Sequence, residues 1–455
     1  MSSAAPTFPI TPLLHEIRAS LAATPRLVLE APPGAGKTTQ VPLALLDAPW
    51  LQGRKIVMLE PRRIAARAAA QFMARQLDEE AGQTVGYRIR FEAKVGAATR
   101  IEVVTEGILT RLIQDDPELA GIGAILFDEF HERHLAGDLG AALALDVQAT
   151  LRPDLRLVVM SATLDGERIA RWLDAPRLTS PGRSFPVRIE HPPARTQEGV
   201  EHHLARVARQ ALAENDGDVL AFLPGRREIA RVQAALEEAV ARDAAPSLPS
   251  SSGRGVGGEG AGGDERHASP APSSAPVGAP SPKGRREGTH IEIVPLHGEL
   301  SLAEQQWALS PAEPGTRRIV LATNVAESSV TLPGIRAVID AGLAREPRFD
   351  PNSGFTRLET VAISQASADQ RAGRAGRVAE GTAYRLWPQS RRLDPARTAE
   401  IAQAELSGLA LELAAWGSDT LPWLDAAPPG ALAQARELLA KLGALDRDGR
   451  IAALG

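Results

Sequence analysis

The chain has 455 residues, and one hydrophobic core usually serves roughly 100 to 200, so two or three domains are expected. Its hydrophobic fraction of 44% and charged fraction of 24% describe ordinary globular material, and the absence of cysteine excludes disulfides, thiolate metal sites and cysteine nucleophiles, which fits a reducing cytoplasm. A net charge of -5 excludes a molecule basic all over, so a nucleic-acid site has to be a local channel, and two Tyr, nine Phe and six Trp favour contact with a phosphate backbone over contact with bases.

MSSAAPTFPI at the start lacks the basic and apolar blocks of a secretory leader, and no uninterrupted apolar stretch is long enough for a bilayer, so a cytoplasmic location with no membrane partner is expected. Leu27 to Glu30 is predicted as a strand, followed by APPGAGKTTQVP (31–42), which opens a helix. Glycines in such a loop let backbone N–H groups turn inward around phosphate oxygens, and the helix N-terminus adds its positive end. Gly34, Ala35, Gly36, Lys37, Thr38 and Thr39 are therefore the nucleotide-binding candidates, with Lys37 reaching the β and γ phosphates and Thr38 a ligand for Mg2+. Ala31 stands where the strict pattern has its first glycine; an ordinary glycine turn is the competing reading, and the order strand, loop, GKT, helix favours nucleotide.

Further β-rich runs follow, KIVMLE, IEVVTEG, AILFDEF and LRLVVMSAT, separated by stretches at helical spacing such as Pro61 to Gln76. This alternation predicts a parallel sheet with helices on both faces. FDEFHER (127–133) ends one such run, which places Asp128 and Glu129 at a strand C-terminus, where doubly wound sheets hold ligands. Two acids serve two tasks there: Asp128 orients hydrated Mg2+, and Glu129 takes the proton of the attacking water. A zinc site at His131 and His134 lacks a third ligand nearby, and His134 reads better as a polar residue on a loop or helix start. SATL (161–164) offers the hydroxyls of Ser161 and Thr163 as couplers between hydrolysis and motion, within reach of a sheet-end carboxylate or His131. EPRRIAARA (60–68), TEGIL (105–109) and ATNVAESSVTLPG (322–334) place Arg, Thr, Asn or backbone donors just past strands, which suits sugar-phosphate contacts, although each alone reads better as a helix cap or turn.

Residues 182–200 carry prolines and charges without strong periodicity and are predicted as a linker. A second alternating series, GDVLAFLPG to GTAYRLW, predicts a second α/β domain. Inside it, residues 244–287 are so rich in Gly, Ser, Pro and Ala that a disordered insertion is expected. QASADQRAGRAGR (365–377) sets Arg374 and Arg377 three apart, on one face of a helix, where both suit the charge that phosphoryl transfer leaves on a γ-phosphate. From 399 the chain turns helix-rich and stops at IAALG, as an incomplete third domain would.

GAGKTTQVP, EPRRIAARAAA, VVTEGILTR, DEFHER, MSATLD, FLPG, ATNVAESSVTLPGI and QRAGRAGR, in that order, make the chain similar to the DEAH/RHA group of superfamily two helicases and, within it, to the bacterial HrpB type, which matches Phe130 in place of the alanine of DEAH. The resemblance spans about 13 to 416 apart from the insertion. It implies two tandem RecA-like domains, 1–182 and 183–390, clasping ATP and Mg2+, then a partial winged-helix-like segment at 391–455, where relatives continue further. It also implies that Lys37, Thr38, Asp128 and Glu129 act from the first domain, with Gln370, Arg374 and Arg377 from the second, while Glu327 and Ser328 sense nucleotide. Arg62, Arg63, Thr105, Gly107, Thr323 and Asn324 would grip one strand, expected to be RNA, during 3′ to 5′ translocation. PRFDPNSGFTRLET (347–360), with its turn at Asn352-Ser353-Gly354, matches the family's strand-parting hairpin. Two alternatives stand beside this reading. A transporter motor or remodelling ring would need a signature such as LSGGQ, which is absent, and a nucleotide-gated RNA clamp would hydrolyse ATP with little unwinding.

Overall fold

The structure, a computed structural model, describes residues 8–162, 165–181, 185–244, 290–327, 332–350, 353–418 and 420–455. The insertion expected at 244–287 lies outside them except for its first residue, and Thr163, Ser328 and Asn352 are also outside.

Runs such as LVL, IVML, AILF and LVVM have no polar alternation because both faces of their sheet are covered, and they assemble into an eight-stranded sheet. Its strand order is Glu92–Lys94, Val85–Ile89, Ile101–Val104, Lys55–Leu59, Ile122–Phe127, Arg156–Ser161, Arg26–Glu30 and Arg177–Thr179. Every pairing is parallel except that of the edge strand Glu92–Lys94. Parallel alignment brings the loops after Glu30, Leu59, Val104, Phe127 and Ser161 to one edge of the sheet.

A second sheet of six strands, all parallel, runs His290–Leu296, Thr316–Ala322, Asp218–Phe222, Ile335–Asp340, Gly381–Arg385, Val187–Glu190. The last of these corrects the sequence expectation: the stretch predicted as linker contains an edge strand, Val187 pairing with Gly381 and Glu190 with Tyr384. Its periodicity was invisible because none of its four side chains is fully buried. The expected hairpin is present and longer than 347–360, Leu343–Asp350 pairing antiparallel with Phe355–Ala362 from Leu343↔Ala362 to Asp350↔Phe355.

The C-terminal segment, with helices Ser407–Trp416 and Pro429–Lys441, does not build a core of its own. Ile401, Leu409, Leu413 and Leu439 share one apolar cluster with Phe127, Leu139, Leu143 and Leu157 of the first sheet's layer. The helix between them, Leu135–Thr150, explains why. Its residues are buried from Gly137 to Gln148 apart from Asp146, so it is apolar all round and packs the sheet with one side and the C-terminal segment with the other. Among the described residues no helix is long and apolar enough to cross a membrane.

Leu413 lies in this shared cluster, and Leu413→Ala is expected to cost about 2–5 kcal/mol. Urea unfolding followed by circular dichroism checks this; a midpoint equal to the parent's would mean that the segment adds nothing to that core.

Candidate nucleotide site

The loop between strand Arg26–Glu30 and helix Lys37–Leu45 takes its shape from two glycines with positive φ, Gly34 at 85° and Gly36 at 93°. At Gly36 a side chain is excluded twice over, since a Cβ there would also lie 2.9 Å from Cβ of Phe8. Gly36 is also the helix N-cap, so no capping side chain competes for the first-turn N–H groups, which remain able to meet an anion.

Lys37 and Thr38 open that helix opposite the strand end that carries the two acids. The Lys37 ammonium sits 2.9 Å from Oε1 of Glu129 and 3.6 Å from Oδ1 of Asp128, all three side chains being buried, and the Thr38 hydroxyl donates to Oδ2 of Asp128 at 2.5 Å. Burial works against the charge on Lys37, but Asp128 and Glu129 outweigh it and carry its pKa above the ordinary lysine value. Burial also pushes Glu129 upward, yet Lys37, and after it His131, hold this carboxyl down at about 2, whereas Asp128 is pushed up by burial and by its acidic neighbour. Glu129 adopts φ 50°, a left-handed conformation that a side-chain-bearing residue keeps only when its surroundings dictate it. Thr39 turns to the neighbouring Gln40, whose amide donates to its hydroxyl at 3.3 Å.

The opposite wall comes from the second sheet. Helix Gln365–Ala372 passes into a 3-10 turn, Gly373–Gly376, in which residues three apart eclipse, so Arg374 and Arg377 do share one side. Arg377 packs on the phosphate-loop candidate itself, its Nε 3.5 Å from where a Cβ of Gly34 would be. Burial lowers the pKa of both guanidinium groups, Arg377 to about 10 and Arg374 well below the ordinary arginine value with Arg377 adding to the effect, and the nearby Glu129 offsets only part of this. The Gln370 amide lies 3.3 Å from Nε2 of His131, whose Nδ1 accepts the backbone N–H of Ala162 at 3.3 Å, just past Ser161. Loop and arginines thus face one cleft of about 1450 Å³, lined by Gly34, Arg62, His131, Glu327, Gln370 and Arg377 among others.

Residues 15–172 match the DEAD/DEAH box helicase family and residues 283–379 the helicase conserved C-terminal domain. The chain is 43% identical to the ATP-dependent RNA helicase HrpB of Escherichia coli (strain K12), over 99% of this chain and 50% of that protein. The chain thus carries a DEAD/DEAH box helicase domain followed by a helicase C-terminal domain. Two solved structures agree with this helicase assignment: the crystal structure of the Escherichia coli DEAH/RHA helicase HrpB (TM-score 0.83, 42% identity, 98% of this chain, 52% of that one), and that of the E. coli DExH-box NTPase HrpB (TM-score 0.80, 42%, 99% and 51%). The chain spans about half the length of the relatives it matches.

The residues expected to hold nucleic acid are more dispersed. Arg63 and Gly107 are exposed, and Thr105 is the half-buried N-cap of helix Glu106–Asp115. Thr323 caps the turn Asn324–Ala326, its hydroxyl accepting from Val325. Arg62 bridges the two sheets, donating at 2.7 Å to Glu132 and also to the carbonyl of Asn324. Glu327 accepts from Ser367 at 2.6 Å and from Arg371 at 3.1 Å, and its carbonyl accepts from Arg374 at 3.2 Å, so it braces the arginine-bearing helix. Sequence reasoning missed Arg371, buried between Glu327 and Asp340 and 4.8 Å from the Phe222 ring centroid, and it missed Glu132. The signal for Arg371 was its place in the arginine run; for Glu132 it was an acid beside a buried turn.

Replacing Lys37 by Met leaves the two carboxylates buried without their cation, and is expected to cost about 3–5 kcal/mol at pH 7. Because Lys37 holds Glu129 near 2, the stabilisation is full above the usual carboxylate value of roughly 4.3 and fades as pH falls towards 2. The stability gap between parent and variant should therefore narrow as pH falls from about 4.3 towards 2 in urea titrations; a gap that stays constant across that window contradicts the charge pairing.

Proposed function

We propose that this chain is an ATP hydrolase that binds ATP and Mg2+ in the cleft between a first domain (1–182) and a second (183–390), with 391–455 as a third segment. It uses hydrolysis to move 3′ to 5′ along a single nucleic-acid strand, RNA by preference. The observation that carries this reading is the packing of Arg377 onto Gly34, which sets the arginine cluster of one sheet against the lysine loop of the other.

The charges supply a mechanism. Without nucleotide, Lys37 is committed to Glu129, which makes that carboxylate a poor base. A γ-phosphate attracts Lys37, and it also attracts Arg374 and Arg377, whose charge burial disfavours and Glu129 only partly offsets. Glu129 then loses its nearest cation, its proton affinity rises, and it accepts the proton of the water that attacks the γ-phosphorus as the bond to the leaving ADP breaks. Gln370, beside His131, orients that water, and loss of the bridging phosphate lets the two domains part. The adjacent Thr38 hydroxyl and Asp128 carboxylate are hard oxygen donors of the type Mg2+ takes, and would hold it. When bound, the ion neutralises charge developing on the β and γ oxygens. Arg62, Arg63, Thr105, Gly107, Thr323 and Asn324 are assigned to the strand's backbone, with His131, Ser161 and Thr163 as couplers between the two sites.

ATP turnover with and without single-stranded RNA tests the assignment. Glu129→Gln is expected to lower kcat by roughly 10²–10⁴, and Arg377→Ala by on the order of 10³ or more. Parent-like turnover in Glu129→Gln removes the assigned base. RNA-stimulated turnover without displacement of a 3′-tailed duplex favours a nucleotide-gated clamp.

A further inference from the structure

The turn that carries Glu129 and His131 ends at a two-residue joint, Arg133 and His134, before helix Leu135–Thr150 begins. Arg133, like Glu129, has a positive φ, 54° against 50°, so both ends of this short turn sit in a conformation costing roughly 1–3 kcal/mol each and need outside support. Much of that support comes from the C-terminal segment. The carbonyl of Arg133 accepts the N–H of Glu400 at 3.0 Å, and its guanidinium pairs with Asp425 at 2.7 Å and with Asp138 at 2.9 Å. The imidazole of His134 lies between two acids, Nε2 at 2.9 Å from Glu132 and Nδ1 at 3.4 Å from Glu400. The same Glu400 oxygen accepts the N–H of Leu135 at 2.8 Å, in the helix's first turn. Glu132 in turn holds Arg62, which reaches the carbonyl of Asn324 in the second sheet's layer. A continuous polar path therefore runs from Glu400 and Asp425, past the catalytic turn, to the far side of the cleft.

We propose that Glu400 and Asp425 are positioning residues for ATP hydrolysis: they let the C-terminal segment hold the Glu129–His131 turn in its working conformation, so that the state of this segment is transmitted to the ATPase site. The inference rests on the ATP hydrolase reading above. It also explains why two acids far apart in sequence converge on adjacent residues of one turn, where a purely structural seam would need only the apolar cluster around Leu413.

The His134 contact gives the arrangement a pH signature. Glu132 and Glu400 face the ring directly, with Glu106 and Asp138 close by, while Arg62 and Arg397 lie behind the first two acids. Burial opposes the charge, but Glu132 and Glu400 outweigh it and raise His134 to about 10. With a folded value above the unfolded one of roughly 6.5, the clamp is fully present below that pH and is lost as pH rises through about 10. Removing the Glu400 charge lowers the upper limit.

The test uses the full chain and the isosteric variants Glu400→Gln and Asp425→Asn, with Glu437→Gln as a control. Glu437 is on the same segment, but its only role visible here is an exposed pair with Lys441 at 2.7 Å. RNA-stimulated kcat is expected to fall roughly fivefold or more in the double variant with KM for ATP unchanged, a coupling of ordinary size between linked sites. Amide exchange across residues 128–135 should quicken in the nucleotide-free double variant, and the alkaline limb of kcat should move to lower pH for Glu400→Gln but not for Asp425→Asn. Parent-like kcat in the double variant, or unchanged exchange across the turn, overturns the positioning role while leaving the ATPase reading intact. A parent that shows no ATP turnover, with or without RNA, overturns both.

Discussion

A buried ammonium between two buried carboxylates is the interaction on which the rest of the site depends. Lys37 opens a helix and Asp128 and Glu129 follow a strand end, and each would be unfavourable in that interior alone; together the ammonium offsets part of the carboxylate charge and makes their burial tolerable. The set is also a stored response. In the proposed mechanism an arriving polyphosphate competes with the carboxylates for the lysine, and drawing the lysine away restores basicity to Glu129. Structure without nucleotide and readiness for nucleotide are two aspects of one charge balance.

Parallel sheets make that balance possible. Each parallel strand of the first sheet delivers its loop to the same edge, so residues as far apart as Lys37, Glu60, Thr105, Glu129 and Ser161 lie at or past strand ends on a common rim. The second sheet does the same with Thr323 and Asn324, after strand Thr316–Ala322. On the far wall, Arg371 is sealed by Asp340 and Glu327 and anchors the helix. Arg374 lies in the 3-10 turn that follows and Arg377 caps it, which keeps Arg377 at the cleft. Three arginines of one short run thus divide into an anchor and two groups aimed at the opposing loop.

The C-terminal segment belongs to the same balance through its packing. It covers the outer side of the largely buried helix Leu135–Thr150, which otherwise would present a hydrophobic face to water, and in doing so it brings Glu400 and Asp425 against the turn that carries Glu129 and His131. Stacking of Phe130 on Trp172, with ring centroids 5.8 Å apart, and the bond from Trp172 Nε1 to the carbonyl of Pro422 at 2.9 Å tie the same turn to the same segment. Apolar burial supplies the adhesion and the charged contacts supply the alignment.

What the sequence by itself determined were the features written in local chemistry. Glycines at 34 and 36, the lysine and threonine that follow, the paired acids at a strand end and the apolar runs that alternate with helical spacing each state a local preference that survives folding, because backbone sterics and burial act residue by residue. The two parallel sheets and the lysine–acid site were legible for that reason. Tertiary structure alone decided which distant groups share a charge environment. The strand Val187–Glu190 is exposed and so lacks a pattern, and only its pairing with Gly381–Tyr384 makes it a strand. Arg62 has the same composition-level signal whether it meets a phosphate or, as found, Glu132 and a carbonyl across the cleft. Glu400 and Asp425 gain significance from proximity to Arg133 and His134, and Coulomb and hydrogen-bond energies depend on distances that no spacing along the chain records.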